Sequence, residues 1–175
     1  MQSLDMAAVG QIFGIVLSAV GFFVYLAKTR KGILIAKLIC DGGYCIQQLM
    51  IGATTGAMVN AIAAMRDIIF YYRNDKKWAS HRLWLYVFLL AMGLSPVLTW
   101  MGPVSLLPAV GSMIAVVGFY CQNPIHTRIL GLFSMLPWCL YASIITNYGL
   151  LLTTVIQIAS AVLGLLRDYR SYKAT

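Results

Sequence analysis

The sequence predicts an all-α membrane protein with seven transmembrane helices, arranged as two parallel three-helix repeats joined by one inverting linker helix, a 3+1+3 design. Three observations carry this. The 175 residues are 61% apolar and only 10% charged, whereas a soluble domain is about 25% charged. The apolar residues fall into seven runs of bilayer-crossing length, which takes about 20 residues each. Finally, residues 10–73 superpose on residues 107–170 without a gap. Seven spans use roughly 140 positions, so short connections and no extramembrane domain are expected.

The first run, 7–27, follows a start without a basic cluster and is longer than a signal-peptide core, so it reads as a retained span. The second, 32–51, lies between Lys28, Arg30 and Lys31 on one side and the uncharged 53–56 on the other. The third, 54–72, carries Asn60, Arg66 and Asp67 and leads into Arg73, Lys76, Lys77 and Arg82. The fourth, 82–100, is apolar on every face apart from Ser95 and Thr99, as expected of a peripheral strap facing lipid. The fifth, 104–121, follows the uncharged Met-Gly-Pro of 101–103, and Arg128 opens the sixth, 127–146. The seventh, 148–166, follows Thr146 and Asn147 and is followed by Arg167, Arg170 and Lys173.

Eleven of the thirteen basic residues therefore fall on one side and none on the other, with Lys37 and Arg66 inside spans. The positive-inside rule places the amino terminus outside and the carboxyl terminus in the cytoplasm of a cell with this protein in its inner membrane. Trp78, Trp84, Trp100, Tyr148 and Tyr169 suit interfacial anchoring. The net charge of +8 is thereby assigned to orientation rather than to nucleic acid. Cys40, Cys45, Cys121 and Cys139 lie in or at the ends of apolar runs with no Cys-x-x-Cys spacing, and His81 and His126 lie in separate loops. No metal or other cofactor is expected. Nor is an enzyme, since there is no Ser-His-Asp set, metal-ligand cluster or phosphate-binding glycine loop.

The 97-residue shift pairs Gly14 with Gly111, Val20 with Val117, Gly21 with Gly118, Phe22 with Phe119, Tyr44 with Tyr141, Gly52 with Gly149, Tyr72 with Tyr169 and Arg73 with Arg170. It also superposes the amides Asn60 and Gln157 and lays basic loops on basic loops. Three spans per repeat would leave the second copy upside down; the extra helix restores its direction. The expected divisions are a first bundle over 1–73, a linker over 74–103 and a second bundle over 104–175. Small residues at helical spacing, Gly14, Ser18 and Gly21 against Gly111, Ala115 and Gly118, predict close helix packing.

Polar side chains gather on few faces. Lys37, Asp41, Tyr44 and Gln48 share one side of the second helix, and the equivalent face of the sixth holds Ser134, Trp138 and Tyr141. Asn60 and Asp67 share a face of the third helix, and Thr153, Gln157 and Ser160 a face of the seventh. A charge at the bilayer centre costs about 2.5 to 3.5 kcal/mol on insertion scales, so such groups face protein or water. Lys37 and Asp41 suit either a structural i,i+4 pair or a role toward substrate or proton. Arg66 projects about 120° from Asn60, which suits snorkelling to lipid phosphate or pairing with a carboxylate, and Asp67 suits pairing with it. Asn60 and Gln157 suit either interhelical hydrogen bonds or ligand contact. Trp138 suits packing or a stacking platform.

The segments Gly-Ala-Met-Val-Asn-Ala-Ile-Ala-Ala-Met-Arg at 56–66, Phe-Tyr-Tyr-Arg at 70–73, Lys-Lys-Trp at 76–78 and Leu-Leu-Pro-Ala-Val-Gly-Ser at 106–112 resemble the bacterial YgjV inner-membrane family over nearly the whole chain. More remotely, the 3+1+3 repeat is similar to the SWEET and PQ-loop transporter superfamily. That resemblance implies a central pocket, with Asn60, Gln157 and Trp138 at the positions of its solute-binding asparagines and tryptophan. The sequence departs from it in having glutamine at 157, aspartate at 41, no Pro-Gln dipeptide and no proline in the first three helices.

The expected function is facilitative transport of a small polar solute by alternating access. Asn60 and Gln157 would bind the solute, Trp138 and Tyr141 would supply apolar faces, and Asp41, Tyr44 and Gln48 would line the route. Lys37, Asp41, Arg66 and Asp67 are the candidates for ion pairing or proton transfer. The alternatives are proton-coupled transport on the same frame and a membrane receptor or assembly subunit that moves nothing. The partners expected are the solute and the lipid bilayer, with one copy sufficient to enclose a pathway and a homo-oligomer compatible with it.

Overall fold

The computed structural model describes residues 2–173, with side chains described from 6 to 170. Among them are seven α-helices: α1 (Gln2–Val24), α2 (Arg30–Met50), α3 (Thr54–Tyr71), α4 (Leu83–Leu98), α5 (Leu106–Tyr120), α6 (Pro124–Ile144) and α7 (Tyr148–Lys173). The side chain of Lys173, counted among the basic residues after the last span, lies outside the described ones.

Local chemistry sets the helix starts. The Thr29 side chain accepts from the Gly32 N–H at 3.1 Å and caps α2. Asn123 does the same for α6 through the Ile125 N–H at 2.9 Å, with Pro124 in the first helical position. That cap is why α6 begins at Pro124 rather than at 127. Helix α7 runs past the expected end at 166 because 167–173 contains neither glycine nor proline to stop it. The turn between α2 and α3 places Gly52 at φ 75°, where a side chain would be strained.

Among the described residues five segments are long and apolar enough to cross a membrane: Met6–Val24 of α1, all of α2, Pro103–Tyr120 (α5 with the helical turn that leads into it), all of α6, and Tyr148–Arg170 of α7. Helix α4 is apolar but only 16 residues long. Helix α3 is less apolar because Asn60, Arg66 and Asp67 lie within it, and all three are buried.

The helices form a closed ring in the order α1, α2, α3, α5, α6, α7 and back to α1, with α4 outside against α3 and α5. Leu83, Leu90, Val97 and Leu98 on α4 point outward, whereas Phe88 and Met92 face the ring. The Phe88 ring meets Phe70 of α3 edge-on at 5.6 Å. Helix α4 thus straps the α3/α5 seam from outside.

The seams of the ring differ. At α1/α7 the backbones touch: a Cβ on Gly149 would lie 2.8 Å from Gly14 Cα, and one on Gly21 would lie 2.7 Å from the Thr153 methyl. The matching stripe on α5 is used otherwise. A Cβ on Gly111 would lie 2.8 Å from the Ser134 carbonyl, and one on Gly118 would lie 2.8 Å from Leu130, both on α6. Both stripes permit close packing; the repeat equates the approach of a Cβ on Gly14 to Gln47 of α2, at 3.2 Å, with that of one on Gly111 to α6, but not the backbone contact of α1 with α7.

Candidate functional site

Every helix of the ring except α1 lines a central cavity of about 40 Å³, and Tyr25, just past the end of α1, closes the circle. On the first-half wall stand Lys37, Asp41 and Tyr44 of α2 with Asn60 and Arg66 of α3. Opposite are Ser112 of α5, Ser134 and Trp138 of α6, and Thr153, Thr154 and Gln157 of α7. The two amides that the 97-residue shift superposes, Asn60 and Gln157, therefore face one hollow, and both are buried, at 5% and 6% exposure.

The charged residues form one connected network. Lys37 Nζ donates to Asp41 Oδ1 at 2.5 Å, and Arg66 Nη2 donates to Asp41 Oδ2 at 3.1 Å. Arg66 also donates through Nε and Nη2 to Asp67 Oδ1 at 2.9 and 2.7 Å. Its guanidinium lies over the Phe119 ring of α5, 4.7 Å from the centroid. Arg66 is only 1% exposed, so it does not snorkel toward lipid phosphate; the pairing alternative is the one realised. Charge spacing explains Lys37 and Asp41, one turn apart on α2. The junction to Arg66 requires α2 and α3 to be packed, as they are.

Three candidate residues lie off the cavity wall. Gln48 packs on Gly56, where an added Cβ would overlap its amide and approach the Tyr141 hydroxyl to 3.0 Å. Tyr141 stacks edge-on against Trp138, with centroids 5.8 Å apart, so it supports the tryptophan from behind. Asp67 lines a separate groove of about 180 Å³ on the outer side of α2 and α3, beside Leu34, Ile35 and Leu38. Tyr44 does reach the cavity, but its hydroxyl is engaged by the carbonyls of Gly14 (2.9 Å) and Gly149 (3.2 Å) and by the Thr153 hydroxyl. It staples α2 to the α1/α7 seam.

Both ends of the ring are stitched by polar contacts. At the end bearing the basic loops, Arg30 donates to the carbonyls of Cys121 (3.1 Å) and Phe119 (3.0 Å), and Arg73 to that of Tyr120. In return Arg128 donates to the carbonyls of Tyr25 (3.0 Å) and Ala27 (2.9 Å) and pairs with Asp168, and Arg167 donates to Leu26 O at 2.8 Å. Arginines from each half thus cap the carboxyl-terminal end of the other half's first helix, where carbonyls lack partners and the helix dipole is negative. At the uncharged end Gln47 and Asn147 exchange both amide hydrogen bonds, at 2.9 and 3.0 Å, and Gln11 bonds Thr146 O and the Gly149 N–H. Beyond them lies a hollow of about 350 Å³ bordered by Gln11, Gly52, Met101 and Thr146.

Sequence reasoning did not single out Tyr25, Ser112 or Thr154 on the cavity wall. Tyr25 lies in the turn after α1, next to the basic loop, outside the polar helix faces that supply the candidates. Ser112 stands where the first repeat has Ile15, so the shift that found the amides passes over it.

A ring of apolar helices around a charged and amide-lined cavity defines an integral membrane protein with an internal polar site. The chain belongs to the YgjV family of bacterial inner membrane proteins, whose model matches residues 8–172. Searches among curated proteins and among solved structures found no match.

Proposed function

We propose that this inner membrane protein is a carrier that moves a small polar solute by alternating access, without a coupling ion. The observation that carries this reading is one cavity fed with polar side chains by both halves of the ring and stitched at both ends by contacts between halves. Side chains of this kind are costly against lipid and useful around a solute. On this reading all seven helices cross the membrane, with the amino terminus outside and the basic loops in the cytoplasm. Residues 1–73 and 104–175 rock against each other, linked by 74–103, and one copy of the chain suffices.

The architecture proposed is the SWEET-like 3+1+3. In its favour, exchanging α1, α2 and α3 for α5, α6 and α7 turns the α3/α5 seam into the α7/α1 seam and leaves the ring order intact. Asn60 and Gln157 are proposed to bind the solute and Trp138 to supply an apolar face, with Tyr141 behind it and Gln48 in the layer toward the uncharged end. The test is flux of labelled small polar solutes into proteoliposomes. Asn60→Ala combined with Gln157→Ala is expected to abolish it, and unchanged flux would remove both amides from the site.

One observation favours a proton-coupled variant: Asp67 Oδ2 is buried without a hydrogen-bond partner. Acceleration by an imposed pH gradient, lost in Asp67→Asn, would replace uniport with that mechanism. Saturable binding without flux would identify a receptor or assembly subunit instead.

A further inference from the structure

The cavity has an electrical character that the repeat does not share between its halves. Under the 97-residue shift Lys37, Asp41, Arg66 and Asp67 meet Ser134, Trp138, Leu163 and Gly164, so one wall is ionic and the other carries no formal charge. Lys37, Arg66 and Asp41 stand on that wall and Asp67 pairs with Arg66 from behind it, so the connected network is balanced, with two cations and two carboxylates in one chain of contacts.

Its hydrogen-bonding capacity is not exhausted. Lys37 donates only to Asp41, and Arg66 Nη1 makes no hydrogen bond among the described residues. Asn60 Nδ2 is buried without a partner. Each Asp41 oxygen accepts one hydrogen bond and can accept another. Free donors with positive charge therefore stand beside a carboxylate with spare acceptor capacity, across the cavity from Trp138.

A buried site whose charges already balance penalises a solute with net charge, because one uncompensated charge would enter a medium of lower dielectric than water. A neutral polyol avoids that cost but meets ionic partners with hydroxyls only. A zwitterion avoids it and meets each end with charge-assisted bonds, the stronger kind. Size points the same way. The cavity of about 40 Å³ is room for roughly three waters at 10 to 15 Å³ each, closer to a small amino acid than to a sugar.

We infer that the solute is a small zwitterion of the amino-acid type, its carboxylate toward Lys37 and Arg66 and its ammonium toward Asp41 and the Trp138 ring. This rests on the carrier reading and deepens it.

The test uses the full chain in proteoliposomes and in detergent, with glycine, acetate, ethylamine and glycerol as probes of zwitterion, anion, cation and polyol. Glycine flux is expected to exceed each of the others by about tenfold, and glycine alone is expected to raise the unfolding temperature. Lys37→Gln, which leaves the wall one charge negative, is expected to lower glycine flux about tenfold and to raise ethylamine flux. Lys37→Arg restores the glycine preference. Should Lys37→Gln fail to fold, the wild-type ranking of the four probes still decides. Glycerol flux matching or exceeding glycine flux overturns the inference and leaves the carrier standing. Stabilisation by glycine without flux supports the site and overturns the carrier. Neither flux nor stabilisation with any probe overturns both.

Discussion

At the scale of single residues, Asp41 holds the network together, since it bonds both Lys37 and Arg66. Removing one partner of a buried ion pair costs about 3 to 5 kcal/mol, because the charge left behind is uncompensated. Asp41→Asn is therefore expected to lower stability by about that amount, read as a shift in thermal unfolding in detergent. Combining it with Lys37→Met is expected to recover part of the loss by restoring charge balance. A single mutant as stable as the wild type would mean that water compensates the cations and the site is wetter than its burial suggests. The spacing of Lys37 and Asp41 made their pairing legible in the sequence. The choice of Arg66 between lipid phosphate and carboxylate was not, because it depends on how α3 rotates against α2.

At the scale of helices, packing depends on where backbone meets backbone. An alanine at Gly149 would press its Cβ to within 2.8 Å of Gly14 Cα, and backbone there has no rotamer with which to yield. Gly149→Ala is expected to cost about 1 to 3 kcal/mol, as overpacking generally does. Gly42→Ala, with nothing within 4 Å of the new atom, is expected to be neutral or to gain up to about 1 kcal/mol of helix propensity. Unfolding midpoints of the two variants check this, and equal effects would refute a tight α1/α7 seam. The sequence made seven helices legible with errors of a few residues, as well as the position of α4 as an outer strap. It announced close packing through glycine stripes, yet it could not assign their partners: Gly21 faces α7 and Gly14 both α7 and Gln47 of α2, whereas Gly111 and Gly118 face α6. A periodic stripe specifies a face, and only the assembled ring specifies its neighbour.

At the scale of the molecule, the arginines behave as a reciprocal clasp. As bare charges in basic loops, Arg30 and Arg128 suggest solvent and orientation. In the structure they are 7% and 0% exposed and bound to carbonyls of the opposite half. Chain order alone conceals this, since each bond joins residues about 90 to 100 positions apart. Breaking the clasp by Arg30→Ala with Arg128→Ala is expected to expose the cavity to the basic end. A cysteine placed at Ser112 reports it: a membrane-impermeant thiol reagent added on that side should label the clasp variant at least several-fold faster than the intact chain. Equal rates would mean that the barrier lies elsewhere.

The uneven cavity walls carry an implication about ancestry and form. Were two identical copies of residues 10–73 to dimerise about a twofold axis, Asp41 would confront Asp41 and no tryptophan would be supplied, for symmetry repeats whatever one subunit offers. Tandem fusion lifts that constraint. On the proposed 3+1+3 reading, two units that share a polypeptide can differ, with one supplying the charged wall and the other the aromatic one.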